Sequence, residues 1–171
     1  PTKIFNTFSA RINSYKQKKK ETGKLQASSI NFQINSTTKK NHYFGTGFDI
    51  NPTETYDYYE PRAANRYVIR PTKIGAFVYI STNYNNAFAI DLNPSFAIFD
   101  EAGRNSYAFS IGPRYRFNDK LSLNYNINFF RQNHNKGFID SVDHDVNNAT
   151  PNTIVFANRN VITYSNTLSG K

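Results

Sequence analysis

Apolar and polar residues alternate with a period of two along most of this chain, which is the pattern of a strand with two unlike faces. The clearest run is Leu121, Leu123, Tyr125, Ile127 and Phe129, interleaved with Ser122, Asn124, Asn126 and Asn128. No helix has that period. Upstream, Tyr107, Phe109, Ile111, Tyr115 and Phe117 alternate with Ala108, Ser110, Gly112, Arg114 and Arg116. Phe88, Ile90, Leu92, Phe96 and Ile98 alternate in the same way with Ala89, Asp91, Asn93, Ser95 and Ala97. Shorter runs are Phe8-Ala10-Ile12, Ile30-Phe32-Ile34, Phe44-Thr46-Phe48-Ile50, Ile74-Ala76-Val78-Ile80 and Ile162-Tyr164-Leu168. Together they predict eight strands, over 4–16, 25–36, 42–51, 67–81, 87–99, 106–117, 121–131 and 160–169. Pro94 and Pro113 fall inside two of them. Proline cannot donate to a ladder, so a bulge or bend is expected at each.

The expected connections are 17–24, 37–41, 52–66, 82–86, 100–105, 118–120 and 132–159, alternately long and short. An up-and-down meander sends alternate connections to opposite ends of the sheet. One end then carries tight turns and the other long loops, as outer-membrane barrels do. The pattern therefore predicts an all-β fold: an antiparallel, up-and-down transmembrane β-barrel with about eight strands present. A soluble β-sandwich or jelly roll that binds polysaccharide would alternate too, and is the competing reading.

Composition bears on which face is dry. The outward face of a soluble sheet is rich in Lys, Glu and Asp. The polar faces of 87–99, 106–117 and 121–131 lack Lys and Glu altogether and are dominated by Asn, Ser, Ala and Gly. Asn is ordinarily depleted from strands, yet there are 24 of them, which suits a wet lumen. Phe99, Phe117 and Phe129 stand near strand ends, where interfacial aromatic girdles lie. No run of 18 apolar residues exists to make a transmembrane helix. The absence of Cys excludes disulfides, thiolate zinc sites and a Cys nucleophile. The chain starts at Pro1 and contains no Met. The expectation is a single domain over 1–171 that is part of a longer chain and of a larger barrel.

The formal charge is +9. Nucleic acid, anionic lipid headgroups or plain solvation would each accept such a charge. Its densest run, Lys16-Gln-Lys-Lys-Lys20 with Lys24, falls at the first long loop. No recognition helix or base-stacking motif accompanies it. The expected partners are therefore outer-membrane lipid and lipopolysaccharide phosphates, with other outer-membrane proteins, and not nucleic acid. Arg114 and Arg116 alternate toward the presumed lumen with Asn124 and Asn126. There the arginines would favour anionic solutes or pair with acidic groups on neighbouring strands.

One stretch is more specific than pattern. Residues 56–71 read Tyr-Asp-Tyr-Tyr-Glu-Pro-Arg-Ala-Ala-Asn-Arg-Tyr-Val-Ile-Arg-Pro. Ser81-Thr-Asn-Tyr84, Pro113-Arg-Tyr-Arg-Phe117 and Asn160-Val-Ile-Thr-Tyr-Ser-Asn-Thr-Leu168 follow in order. This succession resembles the C-terminal β-barrel of the DUF5916 family, found mainly in Bacteroidetes. The resemblance runs along the whole chain. It implies an integral outer-membrane protein whose barrel is longer than 171 residues and is preceded by a carbohydrate-binding module similar to family 9. It carries over no catalytic residue. The implied function is a non-enzymatic pore, or a membrane anchor or component of an outer-membrane complex linked to carbohydrate binding.

Other candidates weaken on inspection. Asp57 and Glu60 have the residue types of a glycosidase acid/base pair. They share their loop with Arg62, Arg66 and Arg70, so ion pairs that order the loop are the simpler expectation. Tyr56, Tyr58 and Tyr59 offer rings for stacking on sugar, against loop packing. Tyr58, Tyr59, Arg62 and Arg66 stand as the loop candidates for binding. His42, His134 and His144 have no metal-ligand spacing. Asp143-His-Asp-Val-Asn147 begins like a calcium loop, but Asn148 stands where Gly is needed and Ile154 where a bidentate Glu is needed. No P-loop, dinucleotide fingerprint or Gly-x-Ser-x-Gly motif is present. The expectation is no enzyme, no catalytic residue, no metal and no cofactor.

Overall fold

A computed structural model describes residues 3–142 and 153–171, and among them there is strand, turn and bend but no helix. The strands are β1 (Phe5–Lys18), β2 (Leu25–Thr38), β3 (Tyr43–Asn51), β4 (Thr55–Asp57), β5 (Val68–Arg70), β6 (Lys73–Ser81), β7 (Phe88–Phe99), β8 (Asn105–Arg116), β9 (Ser122–Val142) and β10 (Thr153–Gly170). Eight of them form one antiparallel meander in the order β1-β2-β3-β6-β7-β8-β9-β10, and β4 and β5 pair as a separate hairpin. The sheet is open: β1 and β10 are its two edges. The expected all-β antiparallel meander is present, but it is not closed into a barrel.

The register carries the apolar face from strand to strand. Ile12 lies opposite Phe32, Phe32 opposite Phe48, Phe48 opposite Ala76 and Ala76 opposite Phe96. The same row continues through Tyr107 to Arg131 and Ile162. A one-residue slip anywhere would send every side chain beyond it to the wrong face. Nothing covers this face among the described residues. Phe8 is 69% exposed and Ile12 71% exposed, and among the described residues Ala89 is the single buried hydrophobic one. The described residues thus hold no dry core of the kind that two facing sheets would make.

Several expectations need correction. Residues 67–81 are not one strand: Val68–Arg70 pairs with Thr55–Asp57, and the main sheet resumes only at Lys73. Pro71 separates the two because it has no N–H to give. Residues 132–159 are not a loop throughout, since β9 and β10 run on as a hairpin. Their alternation is hidden by an irregularity where His134 takes φ 51° and its amide donates to the Asn160 side chain. Neither proline makes a bulge. The pairing lapses on the β6 side at Pro94 and on the β9 side at Pro113, but the register is the same before and after. Lys16 and Lys18 also lie in β1 rather than in a loop.

Connections 39–42, 82–87 and 117–121 lie at one end. At the other, 19–24 and 100–104 are equally short, and the length asymmetry rests on 52–72 among the described connections. The turns at the first end step evenly. Tyr43 is three residues from the middle of its turn, its partner Ser81 five, and Gly112 further along the same row seven. Two residues per hairpin is about 7 Å along the strands for about 9.6 Å across them. With the turns level, the strands lean by about 35°, within the range for closed barrels.

Candidate functional site

The polar face is the crowded one. Gly45, Gly47, Gly75 and Gly112 all fall on it, and an added Cβ at Gly45, Gly47 or Gly112 would overlap the side chains of Asn35, Phe77 and Asn126 respectively. Gly47 sits directly opposite Phe77, whose ring lies across the space a side chain would fill. Rings covering glycines in this way hold a curved sheet together. The apolar face has the opposite character, with splayed, exposed rings. This difference in packing is what a sheet curling with its polar face inward would have.

The register gathers the lumen candidates on that inner face: Arg114 pairs with Asn124, Arg116 with Ser122, and Ser110 with Asn128. Asn126 lies over Gly112. Both arginines are engaged at the short-turn end. The Arg114 guanidinium stacks 5.3 Å from the Tyr84 ring, and Arg116 Nη2 donates to the Asn85 carbonyl at 2.8 Å. Tyr84 in turn donates a short hydrogen bond to Asp91. Partial burial and that carboxylate hold the Tyr84 phenol above its ordinary pKa. Among the described residues, neither arginine pairs with an acid on a neighbouring strand.

The second feature is the excursion 52–72, a crossbar over the other end. Its aromatic half faces the β1–β2 turn. Tyr56 and Tyr58 both contact Tyr67, at 4.9 and 5.6 Å between ring centroids. The Lys24 ammonium lies 3.8 Å from the Tyr67 ring centre and 4.7 Å from that of Tyr56, and Lys19 lies 4.2 Å from that of Tyr58. Cations over ring faces are attracted by the ring quadrupole. A hydrogen bond to Tyr67 holds the Lys24 ammonium above its ordinary pKa, against the effect of desolvation. The rings proposed for sugar stacking are thus mostly occupied by lysines of the same chain. Tyr59 alone stands out, 84% exposed.

The charged half reaches β9, six strands away from β1. Arg70 pairs with Asp57 at 2.9 Å and with Glu60 at 3.2 Å. This is the loop-ordering arrangement, with Arg70 bound to both carboxylates. Partial burial raises the Asp57 pKa, but the amides of Tyr59 and Glu60 and the Arg70 guanidinium outweigh it, and the carboxyl sits below its ordinary value. Glu60 Oε1 also accepts the Phe138 amide at 2.9 Å, and Arg70 Nη1 donates to the Lys136 carbonyl at 3.3 Å. Those two backbone groups lie on the edge of β9 facing β8, beyond the last β8–β9 pair at Asn133. The side chains of the crossbar therefore take the place of a strand and cap an edge that would otherwise stand unpaired. Arg159 approaches Glu60 at 3.8 Å across Gly137, and Arg62, at φ 55°, stacks on Phe138.

The β7–β8 turn supplies a further support. Glu101 pairs with Arg104 at 2.9 Å and closely with Lys136. Partial burial pushes Glu101 up, but the two cations hold it below its ordinary pKa. The buried Arg104 donates to Asn135 and covers Phe99. Gly103 takes φ 72°, a conformation that glycine adopts without strain, and a Cβ there would also collide with the His134 ring.

No three of His, Asp and Glu converge as a metal site among the described residues. His42 Nδ1 accepts the Asn83 amide at 3.3 Å, and His134 packs on Gly103. The calcium-like run 143–147 lies outside the described residues. Sequence reasoning missed Phe138, Lys136 and Arg159, and named Lys24 only as part of the basic run, because nothing local to them signals a partner so distant in the chain.

With this geometry in view, comparison with known families is informative. A family profile described as a domain of unknown function (DUF5916) matches residues 1–171. The chain belongs to the DUF5916 family. No curated protein and no solved structure matches it. Family membership accords with the resemblance read from residues 56–71 and the segments after them, and brings no assigned activity.

Proposed function

We propose that this DUF5916 chain is a wall of a non-enzymatic, integral outer-membrane β-barrel that acts as a pore, or as a membrane anchor within an outer-membrane complex linked to carbohydrate binding. The observation that carries the reading is the continuous apolar face, large in side chain and uncovered. In water such a face is a liability far larger than the few hundred Å² that monomers expose. Against acyl chains it is the ordinary outer surface of a barrel. The row Tyr107 to Tyr115 spans about 27 Å along its strand. Leaning by about 35°, it is about 22 Å tall, close to the apolar band of such barrels, about 25 Å. The inner face of Asn, Ser, Gly and Arg suits water.

Further strands belong to the proposal. β1 and β10 each have a single strand neighbour among the described residues, and open sheet edges are not tolerated in lipid. Added strands would complete a larger barrel, with lipid, lipopolysaccharide and other outer-membrane proteins as its neighbours. The crossbar then narrows the mouth at its end. The test is heat-modifiable migration of the full-length protein extracted from membranes. A folded band that resists detergent until heated is expected. A protein that stays in solution without detergent would overturn the reading.

A further inference from the structure

At the short-turn end, Lys3, Lys39, Lys40 and His42 surround a cavity of about 360 Å³ completed by Ile4 and Thr38. Its backbone is well tied. The Lys39 amide donates to the Ile4 carbonyl at 2.9 Å, joining the start of the chain to the β2–β3 turn. The His42 amide donates to Thr38 Oγ1 at 3.1 Å, and Asn41 takes φ 60°. These bonds bring three lysines to one rim. No carboxylate lines the cavity, and none of the three forms an ion pair among the described residues. Like charges held together repel unless an anion joins them.

The cavity also borders the apolar face. Phe5 lies opposite Thr38, one of the lining residues, and its ring meets Phe44 edge-on at 5.7 Å. These are the last rings of the apolar face before the rim. A cationic rim on an apolar wall matches an amphiphile with an anionic head.

We propose that this cavity binds the phosphate headgroup of an anionic phospholipid, whose acyl chains run along Phe5 and Phe44. The inference rests on the membrane reading and adds a ligand class and a place. The place is the end opposite the crossbar, so it is separate from the Lys16–Lys20 run. Each lysine near an anionic lipid surface contributes about fivefold in affinity. Removing three is expected to weaken retention by on the order of a hundredfold.

The test takes the full-length protein in nanodiscs of phosphatidylcholine with phosphatidylglycerol, and counts retained lipid by native mass spectrometry. Retention of phosphatidylglycerol over phosphatidylcholine is expected, lost in the Lys3→Gln/Lys39→Gln/Lys40→Gln variant and kept in Lys16→Gln/Lys18→Gln/Lys20→Gln. Equal retention by both variants overturns the site. Displacement by millimolar inorganic phosphate alone overturns the lipid and makes it a free-phosphate site. Heat-modifiable migration of each sample separates the two levels. Protein that never inserts overturns the membrane reading, whereas inserted protein without phosphatidylglycerol preference overturns this site alone.

Discussion

A charge placed on the apolar face should cost energy that depends on its depth in the bilayer. Ile111 is the middle of the row Tyr107, Phe109, Ile111, Pro113 and Tyr115, and lies between Leu92 and Ile127 on the neighbouring strands. It is about 11 Å from the centre to either end of the apolar band, on the rise and lean worked out above. Arg at the bilayer midplane costs about 2–4 kcal/mol, and near the interface about 0–1. Ile111→Arg should therefore lower the folding equilibrium in vesicles by roughly 30- to 1,000-fold, and Tyr115→Arg by about fivefold at most. In water alone no dependence on depth is expected: Ile111 is half-buried and Tyr115 exposed, and replacing a surface residue stays within about 0.5 kcal/mol. The assay is urea titration of the full-length protein in phospholipid vesicles, scored as the heat-modifiable folded fraction. Equal effects at the two depths, or none at Ile111, would refute the lipid-facing assignment.

Gly47→Ala should destabilise by about 1–3 kcal/mol because its Cβ meets the Phe77 ring and the Phe32 carbonyl. A Phe77→Leu background should recover part of that in the same titration, which a purely backbone effect would not allow. Glu60→Ala should leave the Phe138 amide without its acceptor, at about 1–3 kcal/mol of local stability. Glu60→Gln should keep most of that bond, and hydrogen exchange at Phe138 distinguishes the two. The crossbar should loosen in acid. Asp57 and Glu101 both have folded pKa values below their ordinary ones. Their contribution is thus complete above the ordinary carboxylate range and lost as pH falls through the lowered values. Limited proteolysis within 52–72 should be unchanged between neutral and mildly acidic pH and rise only below about pH 4. Protection that falls instead near neutral pH would point to a different group.

The crossbar explains why the site was only half legible in the sequence. Asp57, Glu60 and three arginines within one short stretch announced an ordered loop, and Arg70 indeed holds both carboxylates. What the loop grips could not be read, because Phe138 has no pattern of its own and Lys24, though part of the basic run, carries no sign of a partner so far along the chain. For Tyr56 and Tyr58, packing was the simpler expectation than sugar, and Lys19 and Lys24 lie over their rings.

Local chemistry by itself determined the strands, their two faces and the meander, since a period of two requires only that neighbouring side chains point opposite ways. It also put Arg114, Arg116, Asn124 and Asn126 on one face before any pairing was known. The tertiary structure decided what alternation cannot carry. The irregularity at His134 conceals the hairpin beyond it, and Pro71 divides what reads as one strand. The open edges at β1 and β10 depend on which strands meet, a property of contacts between distant segments. The same is true of the exposure of the apolar face: the sequence says that a face is apolar, and only the packed chain says that none of the described residues covers it.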